Sequence, residues 1–307
     1  MNHIKKSYSK SVVYMDTVVT IKIATSLPEV EVNEGFTRAF AAFNHVQKVC
    51  NRFDPKSEIS RLSQHIGVAV PVSPLLFETL RFALEVAIST DGVFDPTIGH
   101  TLEEFGFNRN YLSHTILKTP YSTAINATYE DIVLDEKNHT VILQKPLLLD
   151  LGAVAKGLAV DLAAKDLFSV FEGFAIDAGG DIYAKWLNEN NTPWGIGIRH
   201  PVEQDKIICS LKLCDAAICT SGSYERRSPM DENSHHLIDP RTKLSSNEVL
   251  SCSVIAPFAM MADAFSTATF ILGVEKGIAK LEENGLEGLM ITSALDISLT
   301  KEMSRLL

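Results

Sequence analysis

Val19, Ile21 and Ile23 alternate with Thr20 and Lys22, and this period of two over 18–23 predicts a strand with one buried face. The period then lengthens. Phe36, Phe40, Phe43 and Cys50 recur at helical spacing, so 33–50 is expected to form an amphipathic helix. Ser73-Pro74 opens a second helix running to about Thr90, with serine as cap and proline in the first turn, where its missing N–H is not needed. Ser57-Glu58 carries another helix start. The segment 130–144, EDIVLDEKNHTVILQ, reads as a hairpin turning at Lys137-Asn138. A helix follows over 155–171, then short strands over 174–177, 182–186, 194–199, 207–213 and 216–220. A strand over 250–256, helices over 259–272 and 274–283, and a hairpin of 289–292 with 296–299 complete the pattern. Adjacent strands alternate with separated helices, which predicts an α+β arrangement rather than a doubly wound sheet. No repeat of fixed period and no low-complexity linker marks a domain boundary.

Composition narrows the class. A chain of 307 residues with 46% hydrophobic content can bury a large core, as one large domain or two smaller ones. The formal net charge of -10, with no basic run, argues against nucleic acid as a partner. The five cysteines form no CxxC pair, which disfavours a zinc site, and are read as mostly buried thiols. The first residues, MNHIKKSYSKS, lack the apolar core of a secretory signal, and no apolar run reaches the ~20 residues that span a bilayer. The expectation is a cytoplasmic protein without a membrane span, or a periplasmic one if a leader has been trimmed away.

Five segments could carry chemistry. LDLGAVAKGLAVDLAAK, 149–165, places Gly152 and Gly157 around Lys156. It is not a P-loop, because Leu158 and Ala159 follow Gly157, and it lacks G-x-G-x-x-G. Its small residues either bring backbone close to a ligand at a helix N-terminus or merely allow tight packing. In MADAFSTATFILG, Asp263 and Thr267 are four apart and share one helix face, offering two hard oxygens of the kind Mg²⁺ prefers. The alternative is a surface Asp beside a Thr bonded to its own backbone. The apolar residues around Asp263 favour a paired carboxylate, which a metal ion would satisfy. Asp177-Ala178-Gly179-Gly180-Asp181 and Ser221-Gly222 are turn-like. HHLIDPRT, 235–242, sets a histidine beside Asp239-Pro240-Arg241 as a base near a cation, or as an ordinary Asp-Pro turn. Phe53 and Phe94 each precede Asp-Pro, as stacking platforms or core residues.

In order along the chain, Met15-Asp16-Thr17, FDPKSEISRL, DGVFDPTIG, DLGAVAKGLAVD, DAGGD, TSGSYER, HHLIDPRT and ADAFSTA resemble the FAD:protein FMN transferase family, also called ApbE, from about Met15 to Gly273. The resemblance implies a T-fold-like α+β architecture of mixed, largely antiparallel sheets with packed helices. It implies one catalytic unit over 1–307 of two intertwined subdomains, with the ligand cleft between them. It implies FAD as substrate, Mg²⁺ as cofactor, and transfer of FMN to a Thr or Ser hydroxyl of an acceptor flavoprotein with release of AMP. By the same resemblance, the metal falls to Asp263, Thr267 and the Ala153 carbonyl. Flavin contacts fall to Met15, Phe53, the turn of Gly92, Val93, Phe94 and Asp95, and to Asp150, Lys156 and Leu237. His236 is the candidate proton acceptor, with Asp181 behind it. The sequence departs from the family at Phe53, where Tyr is usual, at Asp16 and Lys243, where Gly is usual, and at Ser223, where Asp is usual. The alternatives are an FAD pyrophosphatase giving FMN and AMP, and a non-catalytic FAD-binding protein. Family acceptors present a motif of the type Asp-x-x-Ser/Thr-Gly-Ala-Thr, and a soluble flavin-linked reductase is the expected partner.

Overall fold

The alternating segment lies in strand β2 (Thr17–Thr25), which in the computed structural model pairs along its whole length with β1 (Lys6–Tyr14). The structure describes residues 5–109, 116, 126–203 and 205–305. The hydrophobic pattern does not predict β1. Its lysines and serines are mostly exposed at the sheet's edge, where charge discourages further pairing and no buried stripe is needed. Helix α1 (Glu29–Cys50) begins earlier than its aromatic periodicity suggests, with Glu29 and Glu31 in the first turn complementing the helix dipole. Ser73 caps α2 (Pro74–Ser89) as expected, its Oγ accepting from Leu76 N at 3.2 Å. The Ile132–Asp135 and Thr140–Leu143 hairpin turns where predicted, because Asp135 accepts from the amides of Lys137 and Asn138 at 3.0 and 3.1 Å. Ser57 caps the short helix Glu58–Leu62.

Helix α3 (Gly152–Phe168) starts three residues before the expected 155. The Asp150 side chain accepts from Gly152 N at 2.8 Å and so satisfies one of the free amides of its first turn. There follow β3 (Gly173–Ala178), β4 (Asp181–Lys185), β5 (Ala216–Gly222), β6 (Val249–Ala256), α4 (Ala259–Leu272), α5 (Val274–Glu283), β7 (Glu287–Thr292) and β8 (Ile297–Leu299). Strands β1 to β8 form one sheet in which spatial order equals chain order and every neighbour is antiparallel. Helix α4 lies against β5 and β6, with α5 beside it. The fold is α+β, as the pattern predicts. A ribbon of Trp194–Arg199 with Ile207–Leu213 adds Trp194, Ile198 and Leu211 to an apolar cluster with Ile218 and Leu289.

The chain divides into two compact units, each built from separate segments. The first takes Met1–His45, Lys156–Gly222 and Glu248–Leu307, and holds the eight-stranded sheet; the second takes Val46–Ala155 and Ser223–Asn247. Among the described residues no helix is long and apolar enough to cross a membrane.

Candidate functional site

In the first unit, a two-residue turn at Gly179-Gly180 joins β3 to β4, with φ of 69° and 98°. A Cβ on Gly179 would lie 2.2 Å from Thr17 Oγ1, so the turn requires glycine for space as well as for conformation. Asp177 Oδ1 accepts from Gly180 N at 3.0 Å and fixes the turn. Asp181 is thereby set at the start of β4, opposite Cys219 of β5. Helix α3 supplies Lys156 and Gly157, and α4 supplies Asp263. A Cβ on Gly157 would fall 2.4 Å from the Ala259 carbonyl oxygen, so the two helices meet backbone to backbone. The contact lets Gly157 N donate to Asp263 Oδ2 at 3.2 Å. Packing and site-building are thus the same feature of this glycine. One turn on, Asp161 accepts from Ala259 N at 2.7 Å and Met260 N at 2.9 Å, capping α4 from the neighbouring helix where Phe258 provides no side-chain cap.

Lys156 Nζ donates to Asp181 Oδ2 in a close ion pair and lies 3.4 and 3.3 Å from the two oxygens of Asp263. Both carboxylates are buried, at 2% and 3% exposure, so their charges are costly without partners. Burial pushes the Asp263 carboxyl up, Asp181 adds to the effect, and Lys156 with Gly157 N offsets only part of it, leaving it at about 7. Burial opposes the Lys156 ammonium, yet Asp181 and Asp263 outweigh it and hold the lysine above its ordinary value. Burial and the same two carboxylates raise the Cys219 thiol and keep it inert. Thr267, one turn beyond Asp263, has Oγ1 3.1 Å from Ser221 Oγ, which is 2.8 Å from Ser266 Oγ.

No three His, Cys, Asp or Glu side chains converge as a ready metal cage among the described residues. The first unit holds two clusters, the Asp181 and Asp263 carboxylates with the Lys156 ammonium and the hydroxyls of Ser221, Ser266 and Thr267, linked where Ser266 Oγ donates to the Asp263 carbonyl at 2.9 Å. The donors are hard oxygens and, with both carboxylates ionised, the net charge is one negative, so the chemistry suits a hard divalent cation such as Mg²⁺. Ala153 is the second residue of α3. Met15 and Asp16, with φ of 50° and 62°, form the two-residue turn between β1 and β2.

The second unit joins other expected residues through one that sequence reasoning did not single out, Arg52. Its guanidinium lies 4.1 Å from the Phe53 ring centre, pairs closely with Asp150 Oδ2, donates to the Phe107 carbonyl at 2.7 Å and sits 3.9 Å from Glu103. The Phe107 ring meets the His236 ring edge-on at 6.3 Å. Phe53, Asp150 and His236 therefore belong to one connected network. His236 Nδ1 lies 3.3 Å from the Arg226 carbonyl, which can only accept, so a neutral ring that donates there carries its lone pair on Nε2. The neighbouring His235 is buried instead. Its Nε2 donates to Ser246 O at 2.7 Å, its Nδ1 accepts from Leu237 N at 3.2 Å, and burial lowers its pKa. Within the first unit Asp181 pairs with Lys156, and within the second His236 meets the Arg226 carbonyl and the Phe107 ring.

Val93, Phe94, Asp95 and Leu237 are all buried. Asp95 accepts from Thr97 N and Thr97 Oγ1, both at 2.8 Å, and from Tyr129 N at 3.1 Å, while burial raises its pKa. Gly92 takes the positive φ, 72°, that this turn needs.

The family model described as the ApbE family matches residues 15–290. This chain belongs to the ApbE family. Its curated relatives include the FAD:protein FMN transferase of Treponema pallidum, 29% identical over 308 residues, which cover 93% of this chain and 84% of that protein. The FAD:protein FMN transferase of Vibrio cholerae is 31% identical over 246 residues, covering 78% and 74%. Among solved structures, the ApbE protein of Thermotoga maritima superimposes with a TM-score of 0.88 at 28% identity, over 98% of this chain and 99% of that one. The flavin transferase ApbE of Vibrio cholerae gives 0.85 at 26% identity, over 99% and 100%. Asp16 and Lys243, where the resemblance leads one to expect glycine, stand at φ 62° and 58°, a conformation that glycine favours.

Proposed function

We propose that this chain is a Mg²⁺-dependent FAD:protein FMN transferase that joins the FMN half of FAD to a Thr or Ser hydroxyl of an acceptor flavoprotein and releases AMP. The observation that carries the reading is Asp263. It is a carboxylate buried on an apolar helix, one turn from a hydroxyl and beside a second buried carboxylate, in a chain whose relatives bear that enzyme's name. Asp263, Thr267 and the Ala153 carbonyl would hold the cation, which when bound neutralises the diphosphate and polarises the attacked phosphorus.

The remaining roles belong to the chain's own groups. Phe53, backed on one face by Arg52, offers an aromatic surface to a flat ring. Asp150 is held in one orientation by Arg52 and Gly152 N and presents fixed acceptors. The Gly92–Asp95 turn contributes main chain. His236, with its lone pair on Nε2, takes the proton of the acceptor hydroxyl as that oxygen bonds to the FMN-side phosphorus. The bond to the AMP oxygen breaks and AMP leaves with the electron pair. Positioning and charge stabilisation supply most of the rate.

Incubation with FAD, Mg²⁺ and an acceptor carrying Asp-x-x-Ser/Thr-Gly-Ala-Thr tests the proposal. A fluorescent acceptor band in a denaturing gel, the mass of an FMN adduct and equimolar AMP are expected. Free FMN with AMP and an unmodified acceptor would mean a hydrolase, and bound FAD without AMP a binding protein.

A further inference from the structure

The Lys156 ammonium sits where a cation is wanted. It is in close contact with Asp181 and 3.3 Å from Asp263, the carboxylate that would also ligate the divalent ion. Two carboxylates and one ammonium sum to one negative charge. A dication arriving alone must settle on Asp263 beside an ammonium already bonded to it, and the group then carries a net positive charge in a largely buried place. Charges so close repel strongly where water is scarce. A dication arriving with a diphosphate, which brings about two negative charges, leaves the sum at one negative and gives the ammonium an anion to face.

Resting on the transferase reading above, we infer that Lys156 is an internal counter-ion that makes loading of the divalent metal conditional on the substrate's diphosphate. Before substrate binds, the lysine holds Asp181 and Asp263 together and keeps the cluster folded without metal. It also discourages a free dication from occupying the site unproductively. Metal and FAD therefore bind as a coupled pair. A lysine serving only as a structural ion pair would affect stability but would leave metal affinity independent of nucleotide.

Mn²⁺ serves as the probe, with free ion followed by its paramagnetic resonance signal at pH 8 and no acceptor present. Wild-type protein should bind Mn²⁺ weakly alone and about tenfold or more tightly with FAD, within the usual range of site-to-site coupling. Lys156→Met should bind Mn²⁺ alone about tenfold more tightly than wild type and lose most of the coupling, whereas Lys156→Arg, which keeps the charge, should behave as wild type. Equal Mn²⁺ affinity of the wild type with and without FAD overturns the inference with no variant needed, so a misfolded Lys156→Met does not shield it. Unchanged or weaker Mn²⁺ binding by a folded Lys156→Met also overturns it. If wild type still forms the FMN adduct in those cases, the transferase reading stands without the lysine switch. Coupled Mn²⁺ binding, with no adduct formed once the acceptor is supplied, would sink the transferase reading and leave the switch.

Discussion

Lys243 holds a φ of 58° in the turn between Asp239 and Leu244, its amide bonded to the Asp239 carbonyl at 2.7 Å and its side chain in solvent. An L-residue there costs about 1 kcal/mol, and no packing contact of the exposed side chain repays it. Lys243→Gly should therefore raise stability by roughly 0.5–1 kcal/mol in urea denaturation. Asp16→Gly at φ 62° should gain less, because Asp tolerates this region better; a loss at Lys243 would show that the side chain has a partner that matters. At Asp263 the balance reverses. Asp263→Asn keeps volume but removes one of two buried like charges, so the melting temperature should hold or rise, while FMN transfer should fall by at least ~100-fold. Transfer at wild-type rate would remove Asp263 from the site. Asp263, with Thr267 one turn on, stands out in the sequence because a carboxylate within an apolar helical run is an anomaly. Arg52 does not stand out, because an arginine beside an aromatic is ordinary in a sequence. The carboxylate that pairs with its head is Asp150, 98 residues away.

Helix α4 owes its first turn to another helix. Asp161 of α3 accepts from the amides of Ala259 and Met260, so Asp161→Ala should cost about 1–2 kcal/mol and speed hydrogen exchange at those two amides first. Burial raises the Asp161 pKa to about 6 despite both amides. A carboxyl raised above its unfolded value contributes stability that is complete below pH ~4 and lost as pH rises through the folded value. The stability cost of Asp161→Asn should accordingly shrink between pH 4 and pH 7, by an amount on the order of 1–3 kcal/mol. A cost that grows with pH would mean the two amides hold the carboxylate ionised. Elements with a buried stripe, such as β2, α1 and α4, are readable from period alone, and Ser73-Pro74 marks its helix start chemically. Strand β1 is not readable, since an edge strand of lysine and serine is specified by its partner β2. Helix α3 starts three residues ahead of its apolar pattern because its cap is the side chain of Asp150, outside that pattern.

At the scale of the molecule, chain order equals strand order through the eight-stranded sheet, so each strand pairs with the one before it however long the insertion between them. The boundaries between the two units at residues 45/46 and 155/156 fall inside α1 and α3, which is why no linker composition announces them. Charge acts at this scale too. A net charge of -10 raises the cost of bringing a diphosphate to the surface, and that cost is screened by salt. In EDTA, FAD should bind weakly, and more tightly as salt rises, because screening relieves repulsion between anions. With Mg²⁺, FAD should bind about tenfold or more tightly with little salt dependence, since the ion pair arriving is nearly neutral; reciprocity requires the same factor for the metal's gain from FAD. Fluorescence titration of FAD at low and high salt, with and without Mg²⁺, measures all four affinities. Tight, salt-insensitive FAD binding in EDTA would mean that the protein's own cations, Lys156 among them, already neutralise the diphosphate and that the divalent ion has no part in binding it.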